Sequence, residues 1–415
     1  MTQPRRSRSI GRLASASRSS SWAVLDQVLV SAGNFAIGIA VARQGGPREL
    51  GLFSIAFAII FVAVGLQRAL ATDPLTIVEG RARQSFALGR FLGAAAAGHV
   101  LLVATGLAAS TVVTGETRAL ALAATLAGGA LLLQDAVRSL LLLRRGPGWL
   151  TANDAVTCGI QLATALVFSG GAARGMLAVG VGCSAGVVLG GAMLRGRVRL
   201  RGTPQLALGR LWPLGRWFGV DSLSYTLASQ LVLVAAAATA GAAVLGSFKA
   251  ALAVFAPLQL VLLGLTRIWL VELSRLDEER VAAVLAARLR RLLVVCGLWA
   301  VAAVAVGESL VRLAYGAEFH LGIAVMALLG GWAVLQAWYG LCVLEAKVRG
   351  RGRRLAASRA ASGIVWLGGV LAAAPYGVAG LALALALGQL AGILALRLEP
   401  RPRALRVRPE SGVSL

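Results

Sequence analysis

The chain has 415 residues, of which 58% are hydrophobic and 14% charged, and its mean hydropathy is +0.79. An ordinary soluble domain is excluded, because about 25% of its residues would be charged. The net charge of +24 would suit a nucleic-acid-binding protein, but thirty-one of the 41 Lys and Arg residues lie in the tails and in alternate loops. This positive-inside pattern instead indicates a multi-pass membrane protein with both termini in the cytoplasm and no nucleic-acid partner.

Apolar stretches follow one another along the chain, and each is close to the ~20 residues with which a helix crosses a bilayer. They predict an all-α polytopic membrane protein with about 12 transmembrane helices. In chain order, the predicted spans are 22–42, 50–71, 91–114, 118–142, 148–171, 176–194, 216–239, 244–268, 292–315, 320–345, 355–374 and 376–396.

The chain contains two copies of one pattern. At an offset of 195 residues, ELGLFSIAFA (49–58) falls on VLGSFKAALA (244–253), and at an offset of 202, Gln134 falls on Gln336. We therefore expect two parallel lobes of six helices each, related by an axis along the membrane normal. The matched pairs at offset 195 include Trp22/Trp217, Asp26/Asp221, Gly46/Gly241 and Gly51/Gly246.

Polar, basic segments separate and flank these lobes. The composition predicts a disordered basic tail at 1–20, an N-lobe at 21–195, a cytoplasmic interfacial linker at 196–215, a C-lobe at 216–397 and a disordered basic tail at 398–415.

Two pairs of charged residues occupy matched places inside the predicted spans. An ionised side chain in the hydrocarbon costs roughly 2.5–3.5 kcal/mol on insertion scales and needs a partner or a water-filled cavity. Asp26 and Asp221 could face the cleft between the lobes, or each could bind a nearby Arg at the cytoplasmic edge. Arg68 and Arg267, in the repeated strings GLQR and GLTR, could line the inner mouth of the cleft or extend to the lipid interface.

Lys249 belongs to one half only, because the first half has Ser54 in its place. We expect this cation to face the cavity between the lobes. Asn34 and Gln230 are uncharged polar residues that suit a hydroxyl-rich ligand, although buried hydrogen bonds between helices would explain them equally well.

Other polar residues predict contacts within a lobe. Asp135 and Arg138 are three residues apart on the fourth span and can pair on one helical face. Asp154 in the fifth span has an approximate counterpart in Arg359 of the eleventh. We interpret all four residues as intramembrane salt-bridge partners within their lobes.

Glycine residues predict close helix packing, and a proline predicts a bent helix. Gly182, Gly186 and Gly190, and the matched stripe around Gly388, should let helices approach closely. Pro257 lacks an N–H and should bend the eighth span. The helical pattern at 272–291 predicts an extension of that span into the cytosol.

The segment LDQVLVSAGNFAIGIAVARQGGPRELGLFSIAFAII (25–60) resembles the opening of Wzx-like polysaccharide flippases of the multidrug/oligosaccharidyl-lipid/polysaccharide (MOP) exporter superfamily. GLQRAL before DPL, and QDAVR before RRGPG and NDAV (134–156), are similar to actinobacterial members. The resemblance covers most of the chain. The second half departs from the first by lacking a counterpart to Arg138 and the Pro of the Gly-Pro turn.

This resemblance implies two MATE-like six-helix lobes around a central cavity that opens alternately to each face of the bacterial plasma membrane. It implies export of a polyprenyl-diphosphate-linked glycan to the outer leaflet, for O-antigen or related polysaccharide biosynthesis. Membrane lipids, glycosyltransferases and a polysaccharide polymerase would be partners, and no cofactor or metal would be needed.

The candidate residues suit such a substrate. Lys249, Arg267 and Arg68 could bind the diphosphate, whereas Asn34, Gln230 and Asp221 could bind sugar hydroxyls. Asp26 is the candidate for coupling to a cation.

Three other classes of function remain open. A MATE-type drug/cation antiporter should have an acidic, aromatic-lined cavity, whereas few aromatic residues occur mid-span; the related lipid II flippases should have fourteen spans. A membrane glycosyltransferase or polymerase should have a large outer loop, whereas no predicted outer loop exceeds about eight residues. A scaffold would not explain matched charges. We therefore expect a transporter and not an enzyme.

Overall fold

The computed structural model shows a helical protein. In the part of the chain that it describes, every regular element is a helix. The described residues are 7–68, 98–111 apart from 101, 105 and 109, then 114–168, 170–195, 227–273, 278–349 and 351–398.

Twelve α-helices are described, five in the first half and seven in the second, and a short 3-10 helix (Ala374–Tyr376) joins the last two. The first five are α1 (Ser7–Gln67), α2 (Gly98–Ala108), α3 (Gly115–Arg144), α4 (Pro147–Val167) and α5 (Gly171–Leu194). The others are α6 (Leu227–Ala240), α7 (Ala242–Ala253), α8 (Ala256–Leu273), α9 (Glu278–Tyr315), α10 (Ile323–Val348), α11 (Gly352–Ala373) and α12 (Gly377–Arg397).

Most of the predicted spans lie in these helices, whereas much of the third and the start of the seventh lie outside the described residues. Among the described residues, six helical stretches are long and apolar enough to cross a membrane, and two of them, Leu25–Gln67 and Gly352–Arg397, each cover most of two predicted spans. The fifth predicted span forms α4, which is not among these six stretches. The bent pair α7 and α8 forms the eighth span. The predicted polytopic, all-α fold class is therefore confirmed.

Glycines at matched positions of the repeat interrupt the helices at one end of the molecule. We call this end the Gly46 side. Gly46 has φ 71° and interrupts α1, and Pro47 begins its second segment. Gly241 has φ 91° and separates α6 from α7. Glycine adopts these positive φ values without steric cost. The repeat at offset 195 is therefore present in the backbone geometry as well as in the amino-acid sequence.

Small residues bring helices into close contact within each lobe. A Cβ on Gly186 would lie 2.2 Å from Thr157 Oγ1, and one on Gly388 would lie 1.8 Å from Trp366 Cδ1. Both distances are too short for any side chain, which confirms the prediction that the glycine stripes serve packing.

Pro257 has the predicted effect on the eighth span. The helix axis changes direction by 56° between α7 and α8. Because proline has no N–H, it cannot bond to the carbonyl of Ala253, and the last turn of α7 instead closes with a bond from Phe255 N to Leu252 O of 3.0 Å.

Two expectations about the segments outside the spans differ from the structure. Helix α1 begins at Ser7, so residues 7–20 are helical rather than disordered. The basic segment 278–291 continues into the ninth span as α9 and not from the eighth, which ends at Leu273. The proposed linker 196–215 lies outside the described residues.

Candidate transport site

A cavity of about 270 Å³ lies between the lobes. Its walls come from both segments of α1, from α6 and α7, and from the end of α9. We call it the inter-lobe cavity. Its polar lining residues are Asn34, Ser54, Gln230, Lys249 and Tyr315. The cavity thus brings together three of the predicted substrate-binding residues.

Lys249 gives this cavity its charge. It is the one charged residue in the lining that the structure describes, and no described carboxylate lies within 4.0 Å of it. Ser54, its repeat counterpart, lines the same cavity, and its hydroxyl donates to Leu50 O at 2.7 Å. A lysine cation facing a partly enclosed space between lobes favours an anionic ligand.

Aromatic residues also line the cavity, contrary to the expectation that few of them lie mid-span. Phe53, Phe57 and Phe61 follow one face of α1, with ring centroids 5.0 and 5.3 Å apart in succession. Phe35 and Tyr315 complete the lining and meet across the lobes at 5.9 Å with an edge-to-face angle of 85°. The spacing of four residues along 53–61 is the sequence signal for this wall.

The lobes are in contact on the Gly46 side of the cavity. Arg43 Nε donates to Ala314 O of α9 at 2.7 Å, and Arg43 Nη2 donates to Leu313 O. A Cβ on Gly51 would lie 1.8 Å from Ala242 O, and one on Gly246 would lie 1.8 Å from Pro47 O. The repeat-matched glycines therefore let α1 and α7 touch by their backbones, and the structure is closed at this end.

Five buried or half-buried charges form a second polar site, the N-lobe cluster, beside a space of about 80 Å³. Arg138 Nη2 donates to Asp26 at 3.0 Å, and its Nε lies 2.7 Å from Asp154 Oδ2 without hydrogen-bond alignment. Arg68 Nε donates to Asp135 Oδ1 at 2.9 Å. The predicted pair Asp135–Arg138 is therefore wrong, because neighbouring helices supply closer partners.

Not every predicted site residue reaches the inter-lobe cavity. Arg68 and Asp26 lie in the N-lobe cluster, and Arg359 lines a separate pocket in the C-lobe. Asp221 lies outside the described residues, and so does the side chain of Arg267, although its backbone belongs to α8.

Solved structures to which this chain is similar include a flippase and multidrug transporters. Lipid II flippase MurJ in an inward closed conformation has a TM-score of 0.69 and 12% identity, covering 90% of this chain and 86% of that one. An inward-facing multidrug resistance MATE family transporter of the MOP superfamily has a TM-score of 0.66 and 15% identity, over 89% and 94%. A MOP superfamily transporter from Pyrococcus furiosus, in which reverse polarity of the binding pocket suggests a different function, has a TM-score of 0.57 and 15% identity, over 92% and 94%.

By sequence, no protein-family model matches the chain, and no curated protein matches it significantly. Helix content, apolar spans and structural similarity together define a multi-pass membrane protein with the fold of MOP-superfamily transporters. A lipid II flippase and a multidrug resistance transporter share this fold, so the fold alone does not assign a substrate.

Proposed function

We propose that this protein flips a polyprenyl-diphosphate-linked oligosaccharide from the inner to the outer leaflet of a bacterial plasma membrane. The observation that supports this proposal most directly is the positive charge of the inter-lobe cavity. Lys249 lines the cavity, and no described carboxylate is among the lining residues. A diphosphate in a low-dielectric cavity needs a cation. The amides of Asn34 and Gln230 supply hydrogen bonds for sugar hydroxyls.

The aromatic wall supports the same ligand. The C–H faces of sugar rings are apolar and stack on aromatic side chains such as Phe57 and Phe61. At about 270 Å³, the cavity is near the lower end of the ~300–1,000 Å³ typical of ligand pockets. We infer that it receives the diphosphate and adjacent sugar, while the polyprenyl chain stays in lipid.

The closed Gly46 side fits transport by alternating access. The positive-inside pattern assigns this side to the outer face, so the structure corresponds to a state closed toward the outside. In the N-lobe cluster, three carboxylates face two guanidinium groups. The excess carboxylate makes Asp26 and Asp154 our candidates for coupling to a proton or another cation.

A MATE-type drug/cation antiporter is the second candidate, because five aromatic residues line the cavity. Aromatic rings bind flat organic cations. Lys249 argues against it, since a cationic drug would meet a like charge. For the structurally similar transporter from Pyrococcus furiosus, reverse polarity of the binding pocket likewise suggests a different function.

Reconstituted protein can decide between the two. Proteoliposomes containing a fluorescently labelled polyprenyl-diphosphate sugar are treated with a membrane-impermeant quencher, which reports leaflet exchange. We expect exchange by the wild type and a loss of about tenfold or more in Lys249→Met, since one charged hydrogen bond contributes about 1.5–3 kcal/mol.

Ser54→Ala is the matched control, because its hydroxyl is already bonded to Leu50 and should leave the rate unchanged. The exchanged pair Ser54→Lys with Lys249→Ser returns the cation to the opposite wall of the same cavity and should recover part of the rate. Unaltered exchange in Lys249→Met, or transport of a cationic dye with no glycan exchange, would contradict the proposal.

A further inference from the structure

Two charged residues on the Gly46 side each come from one lobe and lie at a helix end of the other. Arg43 belongs to the first segment of α1, in the N-lobe, and Glu318 belongs to the segment between α9 and α10, in the C-lobe. Charged side chains are therefore exchanged across the closed interface between the lobes.

Arg43 binds the C-terminal end of α9. The last four carbonyls of a helix have no N–H partner within that helix, and at the end of α9 Gly316 N donates to Arg312 O at 3.0 Å. The next two carbonyls accept from the N-lobe, since Arg43 Nε donates to Ala314 O at 2.7 Å and Nη2 donates to Leu313 O. A guanidinium at this position also interacts favourably with the negative end of the helix dipole.

Glu318 lies beside the opposite kind of helix end, the N-terminus of the second segment of α1. This segment begins at Pro47, and a Cβ on Gly46 would lie 2.9 Å from Glu318 Oε2 and 3.2 Å from Oε1. The first N–H groups of a helix form the positive end of its dipole, where a carboxylate is stabilised. No described Lys or Arg lies within 4.0 Å of the Glu318 carboxylate, so no ion pair accounts for its position.

The repeat does not supply the arginine contact twice. At offset 195, Ala238 of α6 stands in place of Arg43. Alanine has no side-chain donor, so α6 cannot bind a helix end of the N-lobe in this way. The arginine contact is therefore an addition to the backbone contact that the matched glycines Gly51 and Gly246 make, and it does not follow from the symmetry of the fold.

These contacts lie at the edge of the inter-lobe cavity. Tyr315 directly follows the carbonyls that Arg43 binds, and its side chain lines the cavity. Arg43 and Glu318 are themselves exposed, so water can take over their hydrogen bonds when the lobes separate. Release of Arg43 would free the end of α9 and, with it, one wall of the cavity.

We propose that Arg43 and Glu318 form a latch, the outer latch, which holds the Gly46 side closed and is released when the lobes separate. On release, the carbonyls of Leu313 and Ala314 are left to water, and Glu318 leaves the N-terminus of the second segment of α1. This inference rests on the alternating access proposed above and not on the identity of the substrate. Because the outer latch stabilises the closed state, weakening it shifts the population toward a state open to the outside.

Access of a water-soluble reagent to the inter-lobe cavity tests the outer latch without any substrate. Ser54→Cys places a thiol on the cavity wall, and the four native cysteines are buried, so the chain without this change gives the background. Labelling by a membrane-impermeant maleimide is measured with the full-length chain in right-side-out and in inverted membrane vesicles. When opening is faster than labelling, the labelling rate follows the fraction of molecules that is open to that face.

With Ser54→Cys present, Arg43→Met should raise the labelling rate from the outer face by about tenfold, the effect of losing a charged hydrogen bond. It should not raise labelling from the inner face, because opening one side closes the other. Arg43→Lys keeps the charge without the fork of donors and should give a smaller increase. Glu318→Gln should raise labelling from the outer face by about two- to fivefold, as expected for a charge at an exposed helix end.

Arg48→Met is the matched control. Arg48 is exposed on the same side, but its partners Glu49 and Glu116 both belong to the N-lobe, so labelling from either face should stay unchanged. Equal labelling of the Arg43→Met and Arg48→Met variants would overturn the proposal, and so would faster labelling from both faces, the sign of a loosened fold. An Arg43→Met response in a chain that exchanges no glycan would contradict the proposed substrate and support the outer latch, so the two failures are distinguishable.

Discussion

Lys249 and Ser54 occupy equivalent positions of the two lobes and line one cavity, yet they differ in charge and in bonding. The serine hydroxyl bonds to its own helix, whereas no described carboxylate pairs with the lysine. A symmetric backbone thus carries an asymmetric site. Sequence comparison could predict this, because an unmatched charge stands out against a repeat.

The partners of Arg68 and Arg138 could not be predicted in the same way. Spacing along α3 brings Asp135 close to Arg138. In the structure, however, Asp135 binds Arg68, the residue that follows α1. Arg138 binds Asp26 of α1 and Asp154 of α4. Which faces of different helices meet depends on packing. Periodicity within one helix does not contain that information.

Arg138 should be essential for stability, because it is the cation shared by two buried carboxylates. Breaking a buried ion pair on one side costs about 3–5 kcal/mol, so Arg138→Met should lower the free energy of unfolding in mixed micelles by about that amount. Arg118→Met, at an exposed position of the same helix, should change it by less than about 0.5 kcal/mol.

Adding Asp26→Asn and Asp154→Asn to Arg138→Met should recover much of the lost stability, since uncharged amides no longer need the guanidinium. Denaturant titration of the triple variant checks this. A loss below about 1 kcal/mol in the single variant, the scale of an exposed ion pair, would show that the N-lobe cluster is not a buried network.

Breaks and bends between helical segments follow local chemistry, and the sequence predicts them well. Gly46 and Gly241 both adopt a positive φ, 71° and 91°, and Pro257 accompanies the bend between α7 and α8. The pocket of about 360 Å³ that Arg359 lines in the C-lobe was not predicted, because a search for polar and charged residues passes over Ala337 and Gly340. Comparison of the lobes at offset 202 is the signal that could have found it.

The crossing of α1 and α7 should be sensitive to side-chain size. Gly246→Leu would place a side chain against the backbone of Pro47, which cannot move aside within its helix. We expect it to separate the lobes on the Gly46 side and to slow glycan exchange by about tenfold, the effect of roughly 1.4 kcal/mol on the closed state.

Spin labels on Glu116→Cys of the N-lobe and Ile323→Cys of the C-lobe measure that separation by electron paramagnetic resonance. All four native cysteines are buried, so labelling is directed to the introduced ones. Gly297→Leu, where a Cβ would meet open space, is the matched control. If both variants gave the wild-type distance distribution, the glycine contact would not hold this side closed.

At the scale of the whole molecule, the two lobes share backbone breaks, glycine stripes and internal spaces, and they differ in what fills those spaces. The N-lobe is closed internally by ion pairs, the C-lobe contains an open pocket, and Lys249 gives the cavity between them its positive charge. The predicted fold class is confirmed, whereas the aromatic wall was missed because total aromatic content is low and its residues cluster on one face.

We propose above all that the protein exports a lipid-linked anionic glycan whose head group binds in the inter-lobe cavity. The leaflet position of that lipid in the host cell tests this proposal most directly. In cells lacking this chain, lipid-linked sugar should accumulate in the cytoplasmic leaflet, inaccessible to an impermeant sugar-modifying reagent. The wild-type chain should restore its exposure, and Lys249→Met should not. An unchanged leaflet distribution in the deletion strain would contradict the claim.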